Sequence, residues 1–429
     1  MKFVDLFCGI GGFHVALSKF GHNCIFACDI DEHCQSVYKN NFDIDVASDI
    51  RNWSGKIEPH DILCAGFPCQ PFSKSGSQLG FRDKVRGTLF GEISKVVEIN
   101  SPSFVFLENV ANIRGHDEGR TLKTIRTVLQ ELGYSVRTKI LSPHQFGIPH
   151  HRPRLFIVGI NKSKIEHWAK FNFPKPSVSK EHNLSVNTLE EYCQDPEKPT
   201  EDEILSINHW TEFMAIISHD VTPPSPTWSM EFGRSYPLED IHPISLQTKS
   251  QLCRVLNDEG IRANTRLTKQ EIMKLFPPYI RNMKTEIPPW KRRFINKNRE
   301  FWKEHEEKFP KDWLEITRDF SETHQKFEWQ VGSSSSREIM DHMVHFRPSG
   351  IRVSKLDKIP SLVAIAQIPL IGPWGRRITV REAGNAQSFP KDFRFHKNKA
   401  IAFKQLGNSV NVEVIAKIVA QIMKISGND

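Results

Sequence analysis

Cys69 stands in the stretch Gly66-Phe67-Pro68-Cys69-Gln70-Pro71-Phe72-Ser73, directly after the apolar run Asp61-Ile62-Leu63-Cys64-Ala65. A cysteine at the exit of a parallel strand lies where open α/β sheets collect their ligands, and a thiolate there is a sulfur nucleophile able to add to an electrophilic carbon. A second apolar run, residues 103–107, delivers Glu108-Asn109-Val110 at its C-terminal end and puts a carboxyl group at another strand exit. Near the start, Cys8-Gly9-Ile10-Gly11-Gly12 joins an apolar strand to a helical pattern. Such a turn lets the backbone pass close to a ligand and leaves helix N–H groups free for it. Asp29 closes the next strand, where an acid can accept hydrogen bonds from ribose hydroxyls.

The elements that must position these groups are legible from periodicity. Apolar runs at residues 3–7, 24–28, 61–65, 103–107, 134–141 and 154–160 read as strands. Helical spacing separates several of them, as in Leu89, Ile93, Val96 and Val97, or Leu122, Ile125, Val128 and Leu129. This alternation predicts an α/β, doubly wound and mostly parallel sheet of the Rossmann-like kind. Beyond Asn161 the pattern breaks into proline-bearing stretches and then into residues 276–329, where aromatics mix with positive charge. Lysine and arginine can neutralise phosphates and aromatics can stack on bases, although a small domain with an aromatic core and a charged face reads the same way. A last amphipathic helix is expected over residues 410–423.

Composition narrows the class. The 429 residues carry 58 Lys and Arg against 50 Asp and Glu, a formal charge of +8, which mildly favours a polyanionic partner. None of the eight cysteines forms paired CxxC knuckles, so reduced thiols and no structural zinc are expected. The chain runs from its first residues straight into a strand, and no apolar run nears the roughly 18 residues of a membrane span. A soluble, cytoplasmic protein is expected.

Taken in order, the motifs resemble those of the C5-cytosine DNA methyltransferases of bacterial restriction–modification systems. The matching stretches are Asp5-Leu6-Phe7-Cys8-Gly9-Ile10-Gly11-Gly12-Phe13, Asp29, Asp49-Ile50, Pro68-Cys69-Gln70 and Arg86-Gly87-Thr88-Leu89-Phe90. They continue with Glu108-Asn109-Val110, then Gln145 to Arg154, Arg381-Glu382 with Gln387-Ser388-Phe389-Pro390, and Gly407-Asn408-Ser409-Val410. Two departures are His150, where the family usually has glutamine, and the polar run Ala383-Gly384-Asn385-Ala386.

The resemblance implies a class I fold that uses S-adenosyl-L-methionine, yields S-adenosyl-L-homocysteine and needs no metal. Cys69 would add to C6 of a cytosine flipped out of duplex DNA, Glu108 would protonate or hydrogen-bond N3, and Arg154 would contact the O2 side with Arg152 in support. The donor site would comprise Phe7, Gly9, Gly11, Asp29, Ile30, Asp49, Ile50, Pro68, Leu89, Asn408 and Val410. Gln70 and Ser73 would contact the flipped nucleotide's phosphate or fill the vacated stack, with the 76–80 loop as a lid, and no side chain must take the C5 proton, for which water or hydroxide serves as well. Arg292, Arg293, Arg347 and Arg352 are the candidate DNA contacts, with Arg299 as a further candidate for base readout.

The implied architecture is a catalytic domain over residues 1–165 completed by 400–429, a smaller target-recognition domain inserted over 166–390, and a hinge at 391–399. DNA would lie in the cleft between them. Ser361-Leu362 stands where the family carries a Thr-Leu-like pair in its recognition domain. The expected protein is a monomer of bacterial or phage cytoplasm, with a cognate restriction endonuclease encoded nearby and no stable protein partner. The competing readings are a tRNA-methylating relative, a binding protein that has kept the fold and lost catalysis, and a nicotinamide oxidoreductase. Cys8 and Ile10 break the nicotinamide GxGxxG pattern and weigh against the last.

Overall fold

Four of the five residues of Lys2–Leu6 are buried, the pattern of a central parallel strand covered on both faces. In the computed structural model it is β1 of a seven-stranded sheet. The others are β2 (Asn23–Cys28), β3 (Val46–Ala47), β4 (Ile62–Gly66), β5 (Phe104–Val110), β6 (Tyr134–Leu141) and β7 (Arg154–Asn161), and the spatial order is β3-β2-β1-β4-β5-β7-β6. The structure describes residues 1–68, 88–177, 184–191, 193, 196–236, 247–281, 287–333, 335–362 and 367–427. Cys69, Gln70, Ser73 and the 76–80 loop lie outside the described residues.

β1 is parallel to both β2 and β4, and β4 to β5, while β7 runs antiparallel to β5 and β6. The order reverses between β1 and β4, which makes the carboxyl ends of those two strands the switch point where such sheets bind ligands. Helices α1 (Gly12–Ser18), α2 (Glu32–Phe42), α3 (Leu89–Asn100) and α4 (Arg120–Glu131) follow β1, β2, β4 and β5 in the chain. α3 buries Phe90, Ile93, Val96 and Val97, and α4 buries Ile125, Val128 and Leu129, so the apolar spacing read from sequence is the face each helix turns to the sheet. The C-terminal helix Val412–Met423 packs beside α1, and Lys19 approaches Glu413.

Two compact units divide the chain. The first comprises residues 1–194, 357–366 and 379–429, and the second comprises 195–356 and 367–378. These limits differ from the 165, 390 and 400 expected from sequence, and hydrogen bonds give the reason. The Gln387 amide donates to the Leu406 carbonyl and the Val412 N–H to the Gln387 carbonyl, which ties residues 379–398 to the C-terminal helices. Ser361 is likewise bound to the first unit, its hydroxyl donating to the His151 carbonyl.

The second unit holds β8 (Thr227–Trp228), β9 (Lys326–Gln330), β10 (Met343–Arg347), β11 (Gly350–Ser354), β12 (Leu370–Ile371) and β13 (Arg376–Arg377), in the order β13-β12-β10-β11-β9-β8. Its core is aromatic. Trp210, Phe213, Phe232, Trp302, Trp313 and Phe327 are all buried in one cluster, so most of the aromatics between residues 276 and 329 build a core. Among the described residues no helix is long and apolar enough to cross a membrane.

Candidate active site

The reversal of β7 decides where its first residue lies. Because β7 is antiparallel to β5, Arg154 at its start pairs in register with Val110 at the end of β5, and Glu108 pairs with Phe156. Side chains two residues apart share a face of a strand, so Arg154 is the diagonal neighbour of Glu108. The Arg154 Nε lies 3.1 Å from Glu108 Oε1. The same Oε1 is buried and has no hydrogen bond of good geometry, so this oxygen is held by charge and left with hydrogen-bonding capacity. Burial raises the Glu108 carboxyl above the usual carboxylate range, and the charges of Arg154 and Arg152 pull it part of the way back.

Asn109 fixes the neighbouring strand exit. Its side-chain N–H donates to the Phe67 carbonyl at 2.8 Å, while its Oδ1 accepts from the Val110 N–H at 2.8 Å. The end of β5 is thereby pinned to the last buried residue before Pro68, which is exposed. Gly66, opposite Glu108 in the sheet register, presents no side chain to the carboxylate.

Arg152 occupies a different position from Arg154. It is buried, and its guanidinium donates to the carbonyls of Gly407 at 2.7 Å, Ser409 at 2.5 Å and Leu362 at 3.3 Å. Burial and the like charge of Arg154 push it down to about 9, so it is still a cation at neutral pH. Arg152 is a strut between the start of β7 and the 407–410 turn. His150 is also buried and lies 3.1 Å from the Ala386 carbonyl through Nδ1; burial holds it well below the usual imidazole range.

The glycine turn after β1 is shaped by backbone. Phe7 (φ 54°), Gly9 (φ 53°) and Gly11 (φ 87°) have left-handed conformations. A Cβ at Gly11 would meet the Phe42 ring at 2.3 Å and one at Gly12 would meet Val410 Cγ2 at 2.6 Å, whereas a Cβ at Gly9 would enter open space. The glycines at 11 and 12 therefore permit packing, and Gly9 leaves its backbone open to a ligand. Asp29 braces this turn, with Oδ2 accepting from the Gly9 N–H at 2.8 Å and Oδ1 from the Asp31 N–H at 2.9 Å. Its carboxyl is raised, chiefly by burial. Each oxygen keeps a further lone pair for a hydroxyl donor.

Around the turn, Ile30 is 71% exposed, while Ile50 is buried in the core. Asp49 caps the turn that follows it and pairs with Arg51 at 2.6 Å. Leu89 is half-buried in the first turn of α3, Asn408 is exposed and Val410 is buried against Gly12.

Sequence reasoning missed one buried network under this turn. Asp5 is fully buried, its carboxyl is raised well above the usual range by burial, and the Tyr38 hydroxyl, itself 2.7 Å from His14 Nδ1, lies 3.5 Å from Asp5 Oδ2. The signal was a single acid inside the apolar strand Phe3-Val4-Asp5-Leu6.

In the second unit the candidate arginines separate into two groups. Arg347 and Arg352 both pair with Glu328, at 3.0 and 2.8 Å, and Glu328 is held below the usual carboxylate range by these two charges in spite of its burial. Arg299 is corrected from a candidate for base readout to a core residue. Its Nε donates to Glu231 Oε2 at 2.9 Å, its guanidinium stacks 4.1 Å from the Tyr236 ring centroid, and Glu231 is fully buried. Arg293 is exposed and Arg292 half-exposed on the Pro289–His305 helix.

The family model for C-5 cytosine-specific DNA methylase matches residues 1–424. The chain is 30% identical to the Type II methyltransferase M.AluI of Cellulosimicrobium cellulans, over 98% of this chain and 91% of that one. It is 31% identical to the Type II methyltransferase M.BanI of Aneurinibacillus aneurinilyticus, over 100% and 97%. A prophage-encoded E. coli protein, described as a DNA modification methyltransferase, has a solved structure that shares the fold with a TM-score of 0.52 at 18% identity, over 99% of both chains.

Proposed function

From the premise that this chain belongs to the C-5 cytosine-specific DNA methylase family, we propose that Cys69, Glu108 and Arg154 carry out its reaction on a flipped cytosine. The protein is a DNA cytosine-5-methyltransferase of the restriction–modification kind, and its fold is that of the class I methyltransferases, which use S-adenosylmethionine. The observation that carries the proposal is the Glu108–Arg154 pair at the carboxyl edge of the sheet, one strand away from the segment that leads into Cys69.

Cytosine C5 is a weak nucleophile until a group adds at C6. The Cys69 thiolate supplies that addition. Glu108, its carboxyl raised by burial and drawn part of the way back by Arg154 and Arg152, hydrogen-bonds N3 or protonates it and drains the charge that the addition pushes into the ring. Arg154 faces the O2 side and holds the Glu108 carboxyl in place. Arg152 acts as a positioning residue through the 407–410 turn.

The residues after β1 and β2 fit a methyl donor. Gly9 leaves its backbone open, Asp29 offers lone pairs to a ribose, and Ile30 presents an exposed apolar surface, with Phe7, Gly11, Asp49, Ile50, Pro68, Leu89, Asn408 and Val410 completing the surround. S-adenosylmethionine bound there supplies the electrophilic methyl group, and water takes the C5 proton before Cys69 leaves. Gln70 and Ser73 contact the flipped nucleotide, whose extrusion costs roughly a few kcal/mol. The first unit is the catalytic domain and the second reads the target, Arg347 and Arg352 among its DNA contacts. The enzyme acts as a cytoplasmic monomer that protects DNA from a cognate endonuclease.

A Cys69→Ser protein offered duplex DNA and labelled donor loses methyl transfer and forms no covalent complex with a 5-fluorocytosine duplex. Methylation at the wild-type rate by that variant would overturn the mechanism. tRNA offered alongside the DNA tests the substrate class, and methylation of tRNA alone would overturn the assignment to DNA.

A further inference from the structure

Three buried side chains of the first unit, His150, Arg152 and Gln387, each meet backbone carbonyls with some of their polar atoms and leave one polar atom unmet. His150 Nδ1 lies 3.1 Å from the Ala386 carbonyl, and Gln387 Nε2 donates to the Leu406 carbonyl at 2.8 Å. The Arg152 guanidinium donates through Nη1 and Nη2 to the carbonyls of Leu362, Gly407 and Ser409. Among the described residues, His150 Nε2, Gln387 Oε1 and Arg152 Nε have no hydrogen-bond partner. One unmet atom decides little. These three are neighbours, and the sense of each is fixed.

The chain brings them together. His150 and Arg152 flank His151 in a run bridged to Ile359, and residues two apart in an extended run leave the same side. His151 leaves the other side, where it is exposed and stacks on His144. Gln387 adjoins Ala386, which His150 meets, and its amide reaches Leu406, which adjoins the Gly407 that Arg152 meets. Its side chain therefore runs between the partners of the other two.

A carbonyl can only accept a hydrogen bond. The His150 proton must then sit on Nδ1, and the Gln387 amide must turn its nitrogen to Leu406. His150 Nε2 and Gln387 Oε1 are left as acceptors, while Arg152 Nε carries one N–H and is a donor. Burial, and after it the charge of Arg152, hold the imidazole well below its usual range, so it is neutral and Nε2 stays free to accept. Two acceptors and one donor are the complement of a water molecule, which has two hydrogens to give and a lone pair to receive with. The Arg152 charge disfavours a cation in that place, and the two acceptors disfavour an anion.

We propose that His150, Gln387 and Arg152 hold one buried water molecule, which donates to His150 Nε2 and Gln387 Oε1 and accepts from Arg152 Nε. Three bonds are the usual number for a buried water. The molecule joins three stretches far apart in the chain and keeps Arg152 aligned with the Gly407 and Ser409 carbonyls. It thereby shapes the 407–410 turn, which brings Asn408 and Val410 to the methyl donor, and His150 and Gln387 become positioning residues for donor binding. That task rests on the reading of the donor site. The water itself does not.

A high-resolution crystal structure of the full-length protein tests the water without any variant. One ordered water at hydrogen-bond distance from all three atoms is expected. No density there, or a side chain or an ion in its place, overturns the proposal. The task is tested by calorimetric titration of S-adenosylhomocysteine into wild type, His150→Gln and His150→Phe. An amide carries a donor and an acceptor side by side, as the neutral imidazole does, so His150→Gln keeps the water and binds like wild type. His150→Phe keeps a ring without polar atoms, so the water loses an acceptor and affinity falls about fivefold or more.

The loss lies in the donor KM and not in the rate of methyl transfer at saturating donor, which a general loosening of the fold would lower as well. His150→Met serves in place of His150→Phe if the ring variant does not fold. Equal affinity in all three proteins, or equal weakening in both variants, overturns the task assigned to the water. Wild-type protein that binds no S-adenosylhomocysteine refutes the donor reading, and the electron density still decides the water.

Discussion

Glu108 with Arg154 and Glu231 with Arg299 are both Glu–Arg pairs withdrawn from water, one in each unit of the chain. In the second unit Glu231 is saturated. The hydroxyls of Tyr236 and Tyr279 donate to Oε1, Arg299 donates to Oε2, and the Arg299 guanidinium continues to the Tyr236 carbonyl at 2.8 Å. In the first unit Glu108 has the ion pair but leaves Oε1 without a hydrogen bond. Folded proteins rarely leave a buried polar atom unmet unless something arrives to meet it. Both oxygens of Glu231 are met, although Arg299 Nη2 is buried without a hydrogen bond of good geometry; the open Glu108 oxygen lies at the edge where β5 ends, and we read it as the group that meets a base. Burial alone does not separate the two glutamates, and an unmet oxygen alone does not mark a site, since Asp5 Oδ1 is also buried without a hydrogen bond; an unmet carboxyl oxygen at a strand exit beside Arg154 is what singles out Glu108.

The largest effect should follow from removing the acid function of the unsaturated carboxyl. Glu108→Gln keeps the shape and an N–H donor but cannot transfer a proton, so single-turnover methylation of pre-bound DNA should fall about 10²–10⁴-fold. A rate within about tenfold of wild type would show that Glu108 is architecture like Glu231.

Arg299→Ala breaks the saturated pair, and its effect belongs to stability. Removing one partner of a buried pair costs roughly 3–5 kcal/mol. The pH dependence has a definite sign. Burial already raises Glu231, and Arg299 is the largest influence that lowers it, so the variant's folded carboxyl titrates still higher. A group raised in the folded state contributes stability below its unfolded pKa and loses it as pH rises through the folded one. The deficit of Arg299→Ala, measured by urea unfolding at mildly acidic and mildly alkaline pH, should therefore grow with pH. A deficit independent of pH would mean that Glu231 is charged and content without its arginine.

These two pairs also show how much was legible in the sequence. The sheet, the glycine turn and the strand-end acids follow from local pattern, since Gly9, Asp29 and Glu108 each sit just beyond an apolar run. The α3 and α4 faces were legible for the same reason. Arg152 was legible as a residue of interest but not as a strut, because its partners are carbonyls of Gly407 and Ser409, and a carbonyl has no sequence signature. Arg299 stood among the candidates for base readout because mixed aromatic and basic composition is the same whether a side chain faces core or solvent. Its position beside buried Asn298 was a usable hint, for an asparagine between Ile295 and Phe301 marks the inward face. The unit limits were missed because the 357–366 and 379–398 segments are held by hydrogen bonds to backbone far away in the chain.

The smallest effect is the sharpest test of the unsaturated pair. If Glu108 works as a protonated acid, methylation falls as pH rises through its folded pKa, while the Cys69 thiolate requirement makes the rate rise at lower pH, giving a bell. Arg154 is the largest influence that lowers the Glu108 carboxyl against burial, so removing its charge raises that carboxyl further. Arg154→Ala should therefore slow methylation, because the base is no longer held on its O2 side, and also move the descending limb of the bell to higher pH. Arg154→Lys keeps a charge near Glu108 without the planar fork, so its limb should lie between those of wild type and Arg154→Ala. A limb that stays in place in both variants would mean that the proton at N3 does not come from Glu108. The ion pair would then serve only to hold two side chains at the strand edge, and the distinction drawn from hydrogen-bond saturation would fail at the very site it was meant to identify.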